Sequence, residues 1–370
     1  MTPDPQEIEQ LKSTGQVSSY EQLDKLVDDF ERVLKNHGVV IRRDSELEKT
    51  CLAVTEVLGK HKNPKLREPM TDIRPLLTKV LGFWLFLTKI VRLENHTNFK
   101  QFEPHLEYLN KGTVVQNTQI GTSEEATNKI FELLFALCML DVGTEVVLDP
   151  PEGAKGDNPD IMVTLEGKRW GFACKTIYGK SGKAIFDNLK KGVDQIERSP
   201  VDVGCVLLNF RNFLDPQVYW PLLNEEAFKA KREEPAYAAF TNPMESIAPR
   251  IQKVIREKRC AVLSDIKKKP LLAMFRKKKA IPAFLAFAQT ATGLNVRGNL
   301  YPTSMITLSA AYFGWRKPYK ALFRKINDAM HERPHSPAQA SGLFRNWMKL
   351  ILIALLIIVV LALGIIITTR

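Results

Sequence analysis

The 370-residue chain predicts an α/β protein: a mixed sheet flanked by helices, preceded by an all-α N-terminal region and followed by one C-terminal transmembrane helix. Three observations predict it. Residues 1–110 place apolar side chains at helical spacing. From Gly121 onward, short strands and helices follow in the order α-β-β-β-α-β, with helical insertions, which implies a mixed sheet. Residues 350–367 are 18 in a row without a charge or a polar side chain. The boundaries expected from these shifts are 1–112 (helical domain), 113–312 (α/β domain), 313–349 (basic juxtamembrane segment and linker) and 350–367 (span).

In the helical region, Leu23, Leu26, Val27, Phe30, Val33 and Leu34 recur on one helical face. Ser19 with Gln22 has the form of a capping box. Asn63-Pro64 and Glu68-Pro69 separate a second helix from a third. The apolar run 80–87 is too short to cross a bilayer, so it is core or an interaction face. No chemistry is visible here. The expected role is contact with a protein partner or with a second copy of the chain.

The α/β region opens with Thr122 and Glu125, a second capping-box pair, and a helix to about Asp141. A short strand covers 145–148. Ile161, Val163 and Leu165 alternate with Met162 and Thr164 in the next. Glu166-Gly167-Lys168 has hairpin composition and leads to a strand over 170–177. A helix follows over 184–198. The nearly all-apolar run 203–210 suits a central strand covered on both faces. After a basic helical stretch, 281–288 reads as the last strand. Pro, Ser, Ala and Gly dominate 332–342, a linker composition.

At about 1.5 Å per residue, the 350–367 helix just matches a hydrocarbon core of about 30 Å. Arg345 and Lys349 precede it and only Arg370 follows, so the N-terminal bulk is expected in the cytoplasm of a single-pass membrane protein. No hydrophobic leader opens the chain. Five cysteines lack a C-x-x-C pair, which argues against a zinc site or a disulfide framework.

The formal charge is +12, and it is local. Between 250 and 279, twelve Lys/Arg stand against Glu257 and Asp265; between 316 and 349, eight stand against Asp328 and Glu332. Such tracts meet polyanions. The tract beside the span is assigned mainly to the anionic membrane leaflet. The upstream tract, with Lys267, Lys268, Lys269, Lys277, Lys278 and Lys279, is the candidate nucleic-acid surface. The alternative for either is a solvated helix face.

Four residues are candidates for chemistry. Glu132 is the one charge between Ile130 and Leu140, in a helix apolar nearly all round; a buried carboxylate needs a partner, a proton or a metal. Its alternative is a narrow exposed face. Asp160 opens a strand after Asn158-Pro159, where local turn bonding is the alternative. Lys175 shares a strand face with Gly171, Ala173 and Ile177 and needs an anion nearby, or else reaches solvent at the strand end. Gln195 lies one turn after Lys191 in the following helix.

Together, Phe131-Glu132, Pro159-Asp160-Ile161, Phe172-Ala173-Cys174-Lys175 and Lys191-Gly192-Val193-Asp194-Gln195-Ile196 resemble the PD-(D/E)XK nuclease superfamily, the restriction-endonuclease-like fold, over roughly 121–288. The resemblance implies that Glu132 and Asp160 hold Mg²⁺, that Lys175 orients or activates water, and that Gln195 supports the site. Mg²⁺ suits such oxygen ligands and can acidify a bound water. One position departs from the pattern: the second acid is Ala173, which cannot ligate metal. Either another carboxylate substitutes, Glu132 or Asp157, or the site does not cut. The expected function is nucleic-acid binding at the cytoplasmic membrane face with Mg²⁺-dependent phosphodiester hydrolysis, in a setting such as defence against incoming DNA. The rival is a catalytically inactive, membrane-tethered interaction module.

Overall fold

The computed structural model describes residues 20–62, 72–122, 124–151, 158–220, 243–296 and 299–331. Its centre is a six-stranded mixed sheet with strands in sequence order, β1 (Thr144–Leu148), β2 (Ile161–Leu165), β3 (Lys168–Thr176), β4 (Val203–Asn209), β5 (Ala280–Val296) and β6 (Asn299–Tyr312). β1 to β3 form an antiparallel meander, β4 runs parallel to β3 and β5 parallel to β4, and β6 returns antiparallel to β5.

The sequence explains this order locally. Between β2 and β3 the turn is two residues long, and both Glu166 (φ 48°) and Gly167 (φ 74°) take left-handed conformations. Such a turn matches the strands' twist. It pairs Leu165 with Lys168 and thereby sets which face of β3 each later side chain occupies. β4 is buried along all seven residues, as its apolar run predicts for a strand covered on both faces. The outer edge of β1 is covered by Gln101, whose amide donates to the Val146 carbonyl and accepts from the Leu148 N–H. A side-chain amide thus stands in for a neighbouring strand.

One face of the sheet carries the helices α1 (Tyr20–Asn36), α2 (Glu46–Lys62), α3 (Arg74–Leu93) and α4 (Glu125–Met139). The expected separate helical domain is not separate. Leu23, Phe30, Phe83 and Phe86 share one continuous core with α4, with Phe172 of β3 and with Phe287 of β5. The 80–87 run lies in α3, where Phe83, Leu85, Phe86 and Leu87 are buried. The other face packs on α5 (Gly182–Arg198), α6 (Pro243–Ile266) and α7 (Lys268–Phe275) around Ile185, Leu189, Val193, Val206 and Phe284.

Three expectations differ from the structure. The last strand expected over 281–288 is 17 residues long and continues as a hairpin with β6, whose small and polar residues hide its period. The basic segment expected as juxtamembrane from 313 is folded at its start: α8 (Lys320–Met330) buries Leu322, Phe323, Ile326, Ala329 and Met330 in the same core. Lys89, wholly buried on α3, ties it down, with Nζ 2.6 Å from Asp141 and 2.7 Å from the Ala329 carbonyl. Third, the Thr122–Glu125 capping box does not form, because the helix starts after Glu124 without a side-chain cap. Among the described residues no helix is long and apolar enough to cross a membrane. The expected span 350–367, the linker 332–342 and Ser19 lie outside the described residues.

α5 lies unusually close to the sheet. A Cβ on Gly192 would meet the two Val206 γ-carbons at 2.8 and 2.9 Å and Ala173 Cβ at 3.2 Å. Gly192→Ala is therefore expected to destabilise the protein despite a gain of about 1 kcal/mol in helix propensity. Overpacking costs about 1–3 kcal/mol, and a lowered urea midpoint with unchanged m-value checks it.

Candidate functional site

Sheet register brings three of the four candidates to one place. Ile161 pairs with Phe172, so Asp160 falls opposite Ala173, just beyond the paired strand. Its Oδ2 accepts from the Cys174 N–H at 2.6 Å and lies 3.4 Å from Lys175 Nζ. Lys175 Nζ also donates to the Cys174 carbonyl at 2.9 Å. Asp160 is buried, and its partners Cys174 and Lys175 lie on β3 rather than in its own turn.

Glu132 enters the cluster from α4. It is 5% exposed, which excludes the narrow exposed face. Burial, and then the charge of Asp160, push its carboxyl up to about 8, while Lys129 and Lys175 pull the other way. Lys129, one turn earlier on α4, donates to Glu132 Oε2 at 2.8 Å. Burial alone would lower this ammonium, but the Glu132 charge and hydrogen bond outweigh it and its pKa is raised.

Gln195 sits at the margin. Its Nε2 reaches the Asn158 carbonyl at 3.4 Å, while its Oε1 is buried without a partner among the described residues. Asp157, the other candidate substitute acid, lies outside the described residues.

Three participants were not singled out by the sequence. Lys129 looks like an ordinary lysine near a helix start. Asp149 follows β1, and its carboxyl is raised by burial and by repulsion from Asp160, against pulls from Lys129 and an Asn158 hydrogen bond. His105, from the short helix Glu103–Leu106, is buried beside Lys129; burial and that charge push it down to about 3, so it is neutral. A usable signal existed for Lys129 alone: Lys-x-x-Glu spacing on a helix puts the two side chains on one face.

Among the described residues these donors are held by lysines rather than arranged as a shell for Mg²⁺. Each carboxylate of the pair already faces an ammonium, Glu132 facing Lys129 and Asp160 facing Lys175. The slot of the missing acid is closed, because Ala173 is fully buried against the α5 approach at Gly192. Among the described residues, no three His, Cys, Asp or Glu side chains are gathered as metal ligands would be. Lys129 gives Glu132 a hydrogen-bond donor from the chain itself, at the place where a cation would otherwise meet it.

No family model, no curated protein and no solved structure matches the chain.

Two outcomes are expected. In the folded state Glu132 prefers its proton, so its contribution to stability is full below 4.5 and is lost as pH rises toward about 8. Glu132→Gln removes that loss. The stability of the variant relative to wild type should therefore shift upward between pH 4.5 and 8, read by urea unfolding across that range; a flat difference contradicts the buried assignment. Ala173→Glu should not restore a ligand. It buries a carboxylate where α5 leaves no room, a mechanism that costs about 3 kcal/mol or more, so its urea midpoint should fall sharply and no metal-dependent cleavage should appear.

Proposed function

We propose that the chain is a nucleic-acid-binding protein on a restriction-endonuclease-like fold, held at the cytoplasmic face of a membrane by 350–367, whose acidic cluster does not run metal-dependent hydrolysis. The observation that carries the reading is the Lys129–Glu132 contact at 2.8 Å, which engages the Glu132 carboxyl with a donor from the chain itself where a metal would have to bind. Support for the fold comes from topology: helix α4, the antiparallel meander β1–β3, helix α5 and a parallel β4 follow the order that the sequence motifs imply.

The binding reading is supported by one face of the molecule. Lys267, Lys268 and Lys269 at the start of α7, and Lys277 and Lys278 after its end, are exposed. Lys183, Lys190 and Lys191 add exposed charges on the neighbouring α5. Exposed lysines of this kind release counterions when they meet phosphates, so affinity depends steeply on salt. Lys279 is set apart from the group: its Nζ donates to the Ser199 carbonyl at 2.6 Å and its backbone N–H to Glu197, which makes it a structural anchor between β5 and α5.

The test uses the full chain with Lys267, Lys268, Lys269, Lys277 and Lys278 replaced by Gln. Affinity for duplex DNA should fall, and the log–log salt slope should flatten by about 0.9 for each phosphate that no longer meets a lysine. Wild type incubated with DNA or RNA in Mg²⁺ or Mn²⁺ should leave the strands intact. An unchanged slope removes the nucleic-acid surface from this face. Cleavage that Asp160→Ala abolishes removes the non-hydrolytic reading.

A further inference from the structure

A second polar site lies away from the acidic cluster, on the α4 side of the sheet at the carboxyl ends of β3 and β4. Arg211 follows β4 in a short 3₁₀ turn (Arg211–Phe213) and is fully buried. Its Nε donates to the Thr118 carbonyl at 2.8 Å and its Nη2 to Thr118 Oγ1 at 3.2 Å. Its Nη1 has no partner, and no carboxylate among the described residues pairs with it. The Glu124 carboxylate acts on it only through its charge, and a buried guanidinium with an idle N–H is costly.

The groups around it are idle in a matching way. Register places Thr176 beside Asn209, whose Oδ1 accepts the Arg211 N–H and whose amide donates to Gln116 Oε1 at 2.9 Å. The Thr176 hydroxyl, the Gln116 Nε2 and the Tyr178 hydroxyl are all buried without partners. Thr176 lies on the β3 face that packs on α4, and Tyr178, two residues beyond the strand, is close enough to interact electrostatically with Arg211. Native interiors leave few such groups unpaired, and each calls for an explanation. Here one cation and several hydrogen-bond donors are short of the same thing, a multivalent acceptor. Tyr178 and Thr118 are only partly covered, which marks the open side. The place is also where parallel strands of open α/β sheets receive ligands, outside their carboxyl ends.

We propose that Arg211, Tyr178, Thr176 and Gln116 form a binding site for a compact oxyanion of the phosphate class, either free phosphate or a terminal phosphate monoester. A tetrahedral oxyanion accepts from several directions at once, and the guanidinium supplies the charge-assisted bond. Burial lowers the Arg211 pKa to about 10, a penalty that an anion at Nη1 would relieve. The site is independent of whether the acidic cluster cuts.

The experiment is thermal unfolding of the full chain titrated with inorganic phosphate at constant ionic strength, chloride being the balancing anion. A saturable rise in Tm is expected, because a ligand that binds only the folded state stabilises it by mass action. Arg211→Gln should abolish the rise. Since that variant risks failing to fold, Tyr178→Phe and Thr176→Val carry the test further. Each deletes a hydroxyl that has no partner, so each should leave the ligand-free protein as stable as wild type or more so. Each should nevertheless weaken phosphate binding about 10- to 150-fold, the worth of one hydrogen bond to a charged group. A merely structural role would not separate the two readouts. Oligonucleotides with a 5′-phosphate or a 5′-hydroxyl then distinguish the sources: preference for the 5′-phosphate, lost in Tyr178→Phe, assigns a strand end, and equal binding of the two beside a phosphate response assigns free phosphate. No response to phosphate or to the 5′-phosphorylated strand overturns the proposal, as does a response that both hydroxyl deletions leave unchanged.

Discussion

The enclosure of α4 governs the rest of the molecule. From Ile130 to Met139 every residue of this helix is buried, between the sheet on one side and α3, α8 and the short turns before Asn110 on the other. A helix surrounded in this way has no solvent side on which to place a polar group. Whatever polar residues it carries must be satisfied by neighbours. Glu132 is satisfied by Lys129 from its own helix, and the two lie over Asp160 and Lys175 at the mouth of β3. The acidic cluster is thus a consequence of this burial: Glu132 meets polar groups because so little water reaches it.

The second organising contact is on the opposite side of the sheet. α5 can rest on β3 and β4 only because Gly192 has no side chain and Ala173 has the smallest one. That close approach and a functional third acid compete for the same volume. A glutamate at 173 would need α5 to stand off, and the Val193, Val206 and Leu189 core would open with it. Alanine at this position is therefore a packing choice with a chemical consequence. The contact with Lys129 then follows from the same logic, since a buried Glu132 is expensive without a hydrogen-bond partner.

Much of the strand architecture was legible. Alternation in 161–165, the turn composition at 166–168 and the apolar run 203–210 all correspond to strands or turns in the structure, because period-two burial is a strong signal where a face is covered. Less was legible where side chains are small and polar: β6, with Thr303, Ser304, Ser309 and Ala310, carries no clear alternation although it forms the longest pairing in the sheet. Helical periodicity identified α1 but could not say what it packs against, so one core was divided into two domains. Among the site residues, Glu132, Asp160 and Lys175 could be read from chemistry out of place, a charge within an apolar run. Asp149 and Arg211 could not, and Lys129 offered only its Lys-x-x-Glu spacing. Each sits among ordinary polar neighbours, and its importance comes from burial that only the tertiary arrangement creates.

The tie between Lys89 and the carbonyl of Ala329 closes a loop of some 240 residues. Its consequence concerns the order of events during synthesis. The first three helices leave the ribosome long before α8 exists, and until α8 arrives the Lys89 ammonium lacks one of its acceptors and part of the core lacks its cover. Folding of the early helices on their own would strand apolar surface from Phe83 to Ile90 in water, a hazard for chains that finish slowly. Non-local closure of this kind also slows folding, because the loop entropy is lost before the contacts form. The emerging chain should thus depend on chaperone cover until nearly the whole of residues 20–331 has been made.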